Sequence, residues 1–210
     1  MEPREALLKK LTREFYNRDA TIVAKELLGK LLVHEFEGKR LSAIIVETEA
    51  YMGVSDKAAH SYGGRRTQRV EVMYGDAGYA YVFMVYGKNY CFNTVTGETG
   101  NPQAVLIRAV EPVDGIELMA QYRFGKPLKE LTKPQEKGVT NGPGKLCEAL
   151  AINRSMNGVD LCDSEIYIED NEKPVTDIVE TTRVGIEYAE EAKYYKWRFY
   201  IKDNKCVSVK

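Results

Sequence analysis

In the segment VETEAY, Val46 to Tyr51, two glutamates and a tyrosine alternate along a run that follows Ile44 and Ile45. A strand returns its side chains to the same side every second residue at a rise of about 3.3 Å, so Glu47, Glu49 and Tyr51 share a face. The backbones of the two glutamates then lie roughly 6 to 7 Å apart. Carboxylates at that separation suit glycosidic hydrolysis, in which one activates water while another group assists departure through an oxocarbenium-like transition state. Paired glutamates on an edge strand are more often surface residues, so the spacing permits this chemistry without requiring it. Three further polar residues are candidates. His60 is one of only two histidines, and Asn93 sits in the apolar run YCFNTV, where an edge or bulge position would also suit it. Arg108, inside LIRAVEP, needs an anionic partner if its strand is buried, either a carboxylate or a bound phosphate.

The aromatic residues add flat, amphipathic surface: the chain has 14 tyrosines and one tryptophan. Tyr81 and Phe83 share strand parity within YAYVFMVY, which as core residues would simply pack together. Tyr86 has the opposite parity and precedes Gly87. A tyrosine at a strand end beside a glycine is a candidate for a protruding ring, because the glycine permits the tight turn that exposes it.

The elements that must position these groups are legible in outline. Apolar spacing predicts helices over Leu7 to Leu11 and Ala20 to Leu28, the second capped by Asp19 and stopped by Gly29. Strands are expected over Leu31 to Phe36 and Ser42 to Ala50, joined by a Glu37-Gly38 turn, then over Tyr79 to Tyr86, YCFNTV and AVLIRAVEP. A helix over Asp114 to Tyr122 precedes a long loop, Gly125 to Gly144, and another helix runs from Pro143 or Gly144 through Ala151. Strands over Glu165 to Ile168, Arg183 to Ile186 and Trp197 to Ile201 complete the reading. The fold class is α+β: one domain over residues 1–210, a curved, mostly antiparallel sheet and flanking helices.

At 210 residues with 44% hydrophobic and 29% charged, the chain can bury one substantial core. Its four cysteines show no CxxC spacing, and it has neither an apolar leader nor a run long enough to span a bilayer. An intracellular protein with free thiols and no zinc site is expected. Net charge is −1, which alone argues weakly against nucleic acid, but its distribution is uneven. Residues 160–210 carry a net −4 and residues 1–159 a net +3, with clusters at Arg65, Arg66 and Arg69 and from Lys126 to Lys145. That permits a face for a phosphate backbone without demonstrating one.

Read in order, VETEAY, AAHS with the following GGR, YVFMVYG, YCFN, VLIRAVEP, NGPGKLC and TRVGI resemble the alkyladenine (3-methyladenine) DNA glycosylase family, from about Arg18 to Val209. None of these motifs is specific alone; the ordered set is. The resemblance implies an enzyme that flips a damaged purine out of duplex DNA and hydrolyses its N-glycosidic bond, leaving an abasic site. It implies Glu49 as the water-activating residue, with Arg108 and the backbone carbonyl of Val184 holding the water. Tyr51, His60 and Phe83 match the walls of the flipped-base pocket, Asn93 the residue that crowds the purine 2-position, and Tyr86 the wedge that fills the gap in the helix. Glu47 matches a motif position with no chemical role carried over, so structural support is expected of it.

Phe83 stands where mammalian members have tyrosine, Val70 where a polar residue is expected, and Ala77 where a Pro-Gly turn is usual. No lysine occupies the position of Glu49, so no Schiff-base lyase step is expected, and neither a metal nor an organic cofactor is called for. The expected partner is double-stranded DNA containing damaged purines, bound by a monomer with no membrane association, in the cytoplasm of a bacterium or the nucleus of a eukaryote. Two other readings use the same residues: a damaged-DNA-binding protein without turnover, and a nucleoside hydrolase, for which a wedge at Tyr86 would have no purpose.

Overall fold

The Glu37-Gly38 turn joins β1 (Leu31–Phe36) to β2 (Lys39–Tyr51). Both turn residues have positive φ, 51° and 70°, the left-handed pair that a two-residue hairpin favours. The computed structural model describes residues 9–171 and 174–209. β2 is long enough to take two partners along one edge: β1 pairs as far as Ile44, and β8 (Arg198–Ile201) pairs with Glu47 to Glu49. β5 (Gln103–Asp114) lines its other edge. Beyond β5 lie β4 (Asn89–Thr96) and β3 (Ala80–Val85), beyond β1 lies β6 (Ile166–Glu169), and β7 (Ile178–Thr181) pairs with β8. Every ladder is antiparallel, giving a curved eight-stranded sheet. β2 is therefore interior, and the glutamates are not on an edge.

Two bulges decide which way the glutamates face. Ile45 pairs with Val110, Glu47 with Ala109 and Thr48 with Ile107, so the register skips first Val46 and then Arg108. A one-residue slip sends the following side chains to the other face, and bulges also sharpen twist. Before the slip Leu41, Ala43 and Ile45 face the core; after it Ala50 does, with Val105, Ile107 and Phe92 of the neighbouring strands. Glu49 and Tyr51 are left on the opposite face with Leu106, Arg108, Asn93, Tyr81 and Phe83.

Helices cover the core face. The helix Ala20–Glu26, capped by Asp19 accepting from the Thr21 N–H, packs on β2, where the Thr48 hydroxyl donates to the Ala24 carbonyl. The helix Pro143–Ala149 packs against β4 and against the helix Ile116–Phe124. Leu27, Ile45, Phe92, Ile107, Leu146 and Phe199 are fully buried between these layers. Each such side chain contributes about 1.5–3 kcal/mol relative to exposure.

Some expectations shift. The helix expected over Leu7 to Leu11 falls partly outside the described residues, and its described end is extended: Lys10 bridges to Glu169 and the Leu11 N–H bonds the Ile168 carbonyl. A one-turn helix at Arg13–Tyr16 was not expected, nor was β7. The helix Ile116–Phe124 starts later because β5 runs on to Asp114 and breaks at Gly115, φ +78°, where a Cβ would lie 2.5 Å from Leu41. The loop from Gly125 contains a helix, Lys133–Lys137, closed by a Thr132/Gln135 capping box. Arg183 to Ile186 is not a strand. The Val184 N–H is spent on a side-chain carboxylate, and Gly185 sits at φ +75°, outside the β region. Among the described residues, no helix is long and apolar enough to cross a membrane.

Candidate active site

The face left uncovered by the helices, together with the loops Ala58–His60 and Val184–Tyr188, encloses a cavity of about 370 Å³. Seven of the eight residues singled out from the sequence line it: Tyr51, His60, Phe83, Tyr86, Asn93, Arg108 and Val184. The eighth, Glu49, lies directly behind three of them. It is fully buried, accepting from the Val184 N–H at 2.7 Å and the Tyr51 hydroxyl at 2.9 Å, with Arg108 Nη1 at 3.4 Å. An ionised carboxylate has about four lone-pair sites, so two hydrogen bonds and the Arg108 ion pair leave capacity for one more donor. Burial raises the Glu49 carboxyl above the usual carboxylate range, opposed by Arg108, the Val184 N–H and the Tyr51 hydroxyl in that order. The result is a stronger base than a surface glutamate.

The cavity walls are rings. His60 and Phe83 lie 4.6 Å apart between centroids at an interplanar angle of 72°, and Tyr81 and Phe83 lie 5.0 Å apart at 39°. The Tyr81 hydroxyl is 2.8 Å from His60 Nδ1, which leaves Nε2 as the other polar atom of that ring. Burial, with Arg69 and then Arg65 nearby, lowers the His60 pKa to about 4, so the imidazole is neutral at pH 7. Asn93 is buried and its Nδ2 donates to the Tyr81 carbonyl at 2.9 Å, which fixes the plane of the amide. Tyr86 stands at the mouth, 93% exposed. It and Gly87 are the central residues of the turn Val85–Lys88, with φ of 51° and 71°.

The Val184 loop is held by a buried ion pair. Arg183 meets Asp56 through two bonds of 2.5 and 2.8 Å, reaches the carbonyls of Ala50 and Ala192, and stacks 4.8 Å from the Tyr51 ring. Glu47, also fully buried, faces Arg108 Nε at 3.1 Å and Arg198 Nη1 at 2.8 Å. Among the described residues, no group of three or more His, Cys, Asp or Glu side chains could hold a metal ion. The cysteines at 91, 147, 162 and 206 are free thiols.

A buried base behind a ring-walled cavity, with an exposed aromatic at its mouth, is the arrangement expected of an enzyme acting on an extruded base. Residues 14–205 match the family model described as methylpurine-DNA glycosylase. The chain belongs to the methylpurine-DNA glycosylase family. It is 64% identical over 203 residues to a protein of Desulfitobacterium hafniense, covering 97% of this chain and all of that one. It is 60% identical over 200 residues to one of Clostridium acetobutylicum, covering 95% and 98%, and 57% identical over 203 residues to one of Clostridium novyi, covering 97% and 100%. All three are provisionally named 3-methyladenine DNA glycosylase.

For a methylpurine-DNA glycosylase, the two departures at Val70 and Ala77 are packing changes. Val70 is buried with Met73, Tyr81 and Val95, and Ala77 lies in the main core, its carbonyl bonded by Arg13. Sequence reasoning missed Tyr81 as a site residue, although its shared parity with Phe83 was the available signal. It also missed Arg198, which lies in the apolar run WRFYI and carries the same signature as Arg108. Asp56 and Arg183 had no local signal, since their pairing spans 127 residues.

Proposed function

We propose a division of labour for these residues within the activity that family membership assigns: a DNA-3-methyladenine glycosylase, a hydrolase of base excision repair acting on damaged DNA. Glu49 takes a proton from a water held by Arg108 and the Val184 carbonyl, and that water attacks the sugar carbon as the purine departs. Tyr51 and Phe83 sandwich the flipped base with His60 at its edge. Asn93 crowds the 2-position and disfavours guanine, whose amino group projects there. Tyr86 enters the duplex and replaces part of the stacking lost on extrusion, a cost of a few kcal/mol that is smaller at a poorly paired lesion.

The chemistry follows from charge. A purine alkylated at N3 or N7 is cationic, is drawn to ring faces, and leaves without prior protonation. Hypoxanthine or ethenoadenine is neutral and needs a proton donor, a role for which His60, charged only near pH 4, is poorly suited at neutral pH. No lysine stands at the base position, so hydrolysis ends at an abasic site without strand cleavage. An intracellular monomer that needs no cofactor completes this reading.

One observation carries it: a tyrosine 93% exposed on a tight hairpin turn, at the mouth of a cavity that backs onto a buried carboxylate. A nucleoside hydrolase has no use for such a ring. The test is a panel of single-lesion duplexes and the matching free nucleosides, with alkali to reveal abasic sites. Release from duplexes alone is expected; release from nucleosides, or binding without release, would replace this reading with one of its rivals.

A further inference from the structure

Glu47 and Glu49 are two fully buried carboxylates on one strand face, and Arg108 touches both. Left to itself, an arginine between two carboxylates takes the better fork, two parallel N–H bonds to one of them. Arg108 instead gives Glu47 only its Nε, to Oε1 at 3.1 Å, while Nη1 lies 3.4 Å from Glu49 and Nη2 donates to the Ser208 hydroxyl at 3.3 Å. The reason is visible in what else Glu47 holds. Its Oε1 is shared with Arg198 Nη1 at 2.8 Å, and its Oε2 accepts the Ser208 N–H at 2.7 Å. The oxygen that a forked grip by Arg108 would need is already engaged by the Ser208 backbone.

Arg198 is fixed in turn. Its Nε donates to the Thr182 carbonyl and its Nη1 also to the Val209 carbonyl, both at 2.8 Å. It is 5% exposed and belongs to β8, the strand that pairs with β2 across Glu47 to Glu49. Two carboxylates and two arginines therefore balance in one buried cluster, closed by the segment Ser208–Val209.

We infer that Arg198 and Ser208 are positioning residues: Arg198 and the Ser208 N–H compete with Arg108 for Glu47, and the Ser208 hydroxyl holds Arg108 Nη2, so that Arg108 stays turned toward Glu49 and the water site. The inference rests on the role proposed above for Arg108. Neither residue lines the cavity, so neither is assigned contact with the base. Without Arg198, Glu47 competes for the Arg108 guanidinium and draws it from the reacting atoms.

The experiment compares Arg198→Gln, Arg198→Lys and Ser208→Ala with the unmodified chain on a 3-methyladenine duplex. It measures single-turnover excision at saturating enzyme, lesion-duplex affinity and thermal unfolding. Arg198→Gln should slow excision by about 10- to 100-fold, the size of effects from groups that orient a catalytic residue from behind, with affinity within about threefold. Arg198→Lys, which restores the charge, should recover most of the rate, and Ser208→Ala should slow excision by roughly threefold or more with unfolding unchanged. A folded Arg198→Gln at the unmodified rate overturns the inference, as does a loss seen wholly in affinity or an Arg198→Lys no faster than Arg198→Gln. Should Arg198→Gln fail to fold, Ser208→Ala, which removes the hydroxyl on Arg108 Nη2 and keeps the N–H on Glu47, decides alone, and an unmodified rate there overturns it. If the unmodified chain releases no base, the underlying reading fails before these variants are compared.

Discussion

Glu49 owes its basicity to burial, and its neighbours limit how far that goes. Glu49→Gln keeps the size of the side chain but cannot accept a proton, so single-turnover excision should fall by roughly 10² to 10⁴ while lesion binding persists. Glu47→Gln should mainly lower stability, leaving the chemical step within about tenfold, a difference near 1.4 kcal/mol. Rates at saturating enzyme separate the two, and an inactive Glu47→Gln beside an active Glu49→Gln would reverse the assignment. The pH dependence has a definite sign. Because the Glu49 pKa is raised, its base form is lost as pH falls through a value above 4.5, so the acid limb of the rate profile should lie above that value. His60 protonates only near pH 4 and contributes lower down. Tyr51→Phe keeps the ring wall but removes the hydroxyl that donates to Glu49 at 2.9 Å. That bond favours the ionised carboxylate, so its loss should move the limb to still higher pH; a limb that stays put would mean another group titrates.

At the level of elements, the hairpin joining β3 and β4 presents the wedge at a local cost. Tyr86 sits at φ 51° and Gly87 at φ 71°. Glycine is at ease there, whereas a tyrosine in the left-handed region carries about 1–2 kcal/mol of strain. Asparagine tolerates that region better. Tyr86→Asn should therefore leave thermal stability unchanged or higher while weakening lesion binding and excision, opposite signs that a packing role could not give. Reduced stability with full excision would count against the wedge. The same scale shows what the sequence disclosed. The strands carrying Tyr51, Phe83, Asn93 and Arg108 were legible because apolar alternation and turn residues mark them locally. The face Glu49 occupies was not, because Leu41, Ala43 and Ile45 point to the core and only the skipped Val46 sends Glu49 the other way. Val184 reads as part of a strand because it and Ile186 are β-branched, while Gly185 and the pairing of Arg183 with Asp56 make it a fixed loop. Such long-range ion pairs leave no periodic trace.

For the whole molecule, a net charge of −1 cannot draw the chain to DNA, so attraction must come from local charge. Arg65, Arg69 and Lys88 are exposed near the cavity and its wedge, whereas Arg66 is held by Glu71 and Lys57 by Glu190 and Glu191. Cation–phosphate contacts release counterions and weaken with salt by a slope of about 0.9 per phosphate. Recognition of a flipped neutral base is different in kind, since it uses rings, an amide and an uncharged imidazole that release no counterions. Affinity for a hypoxanthine duplex and for the matched undamaged duplex should therefore fall together. For about three phosphate contacts the loss between 50 and 200 mM salt is roughly 40-fold for each. Their ratio should stay constant within about twofold, because the discriminating contacts are enclosed in the cavity where salt does not reach. Titrations of both duplexes across that range decide the matter. If the ratio itself changes steeply with salt, exposed charge rather than the cavity is choosing the lesion, and the pocket has been given a role that belongs to the surface.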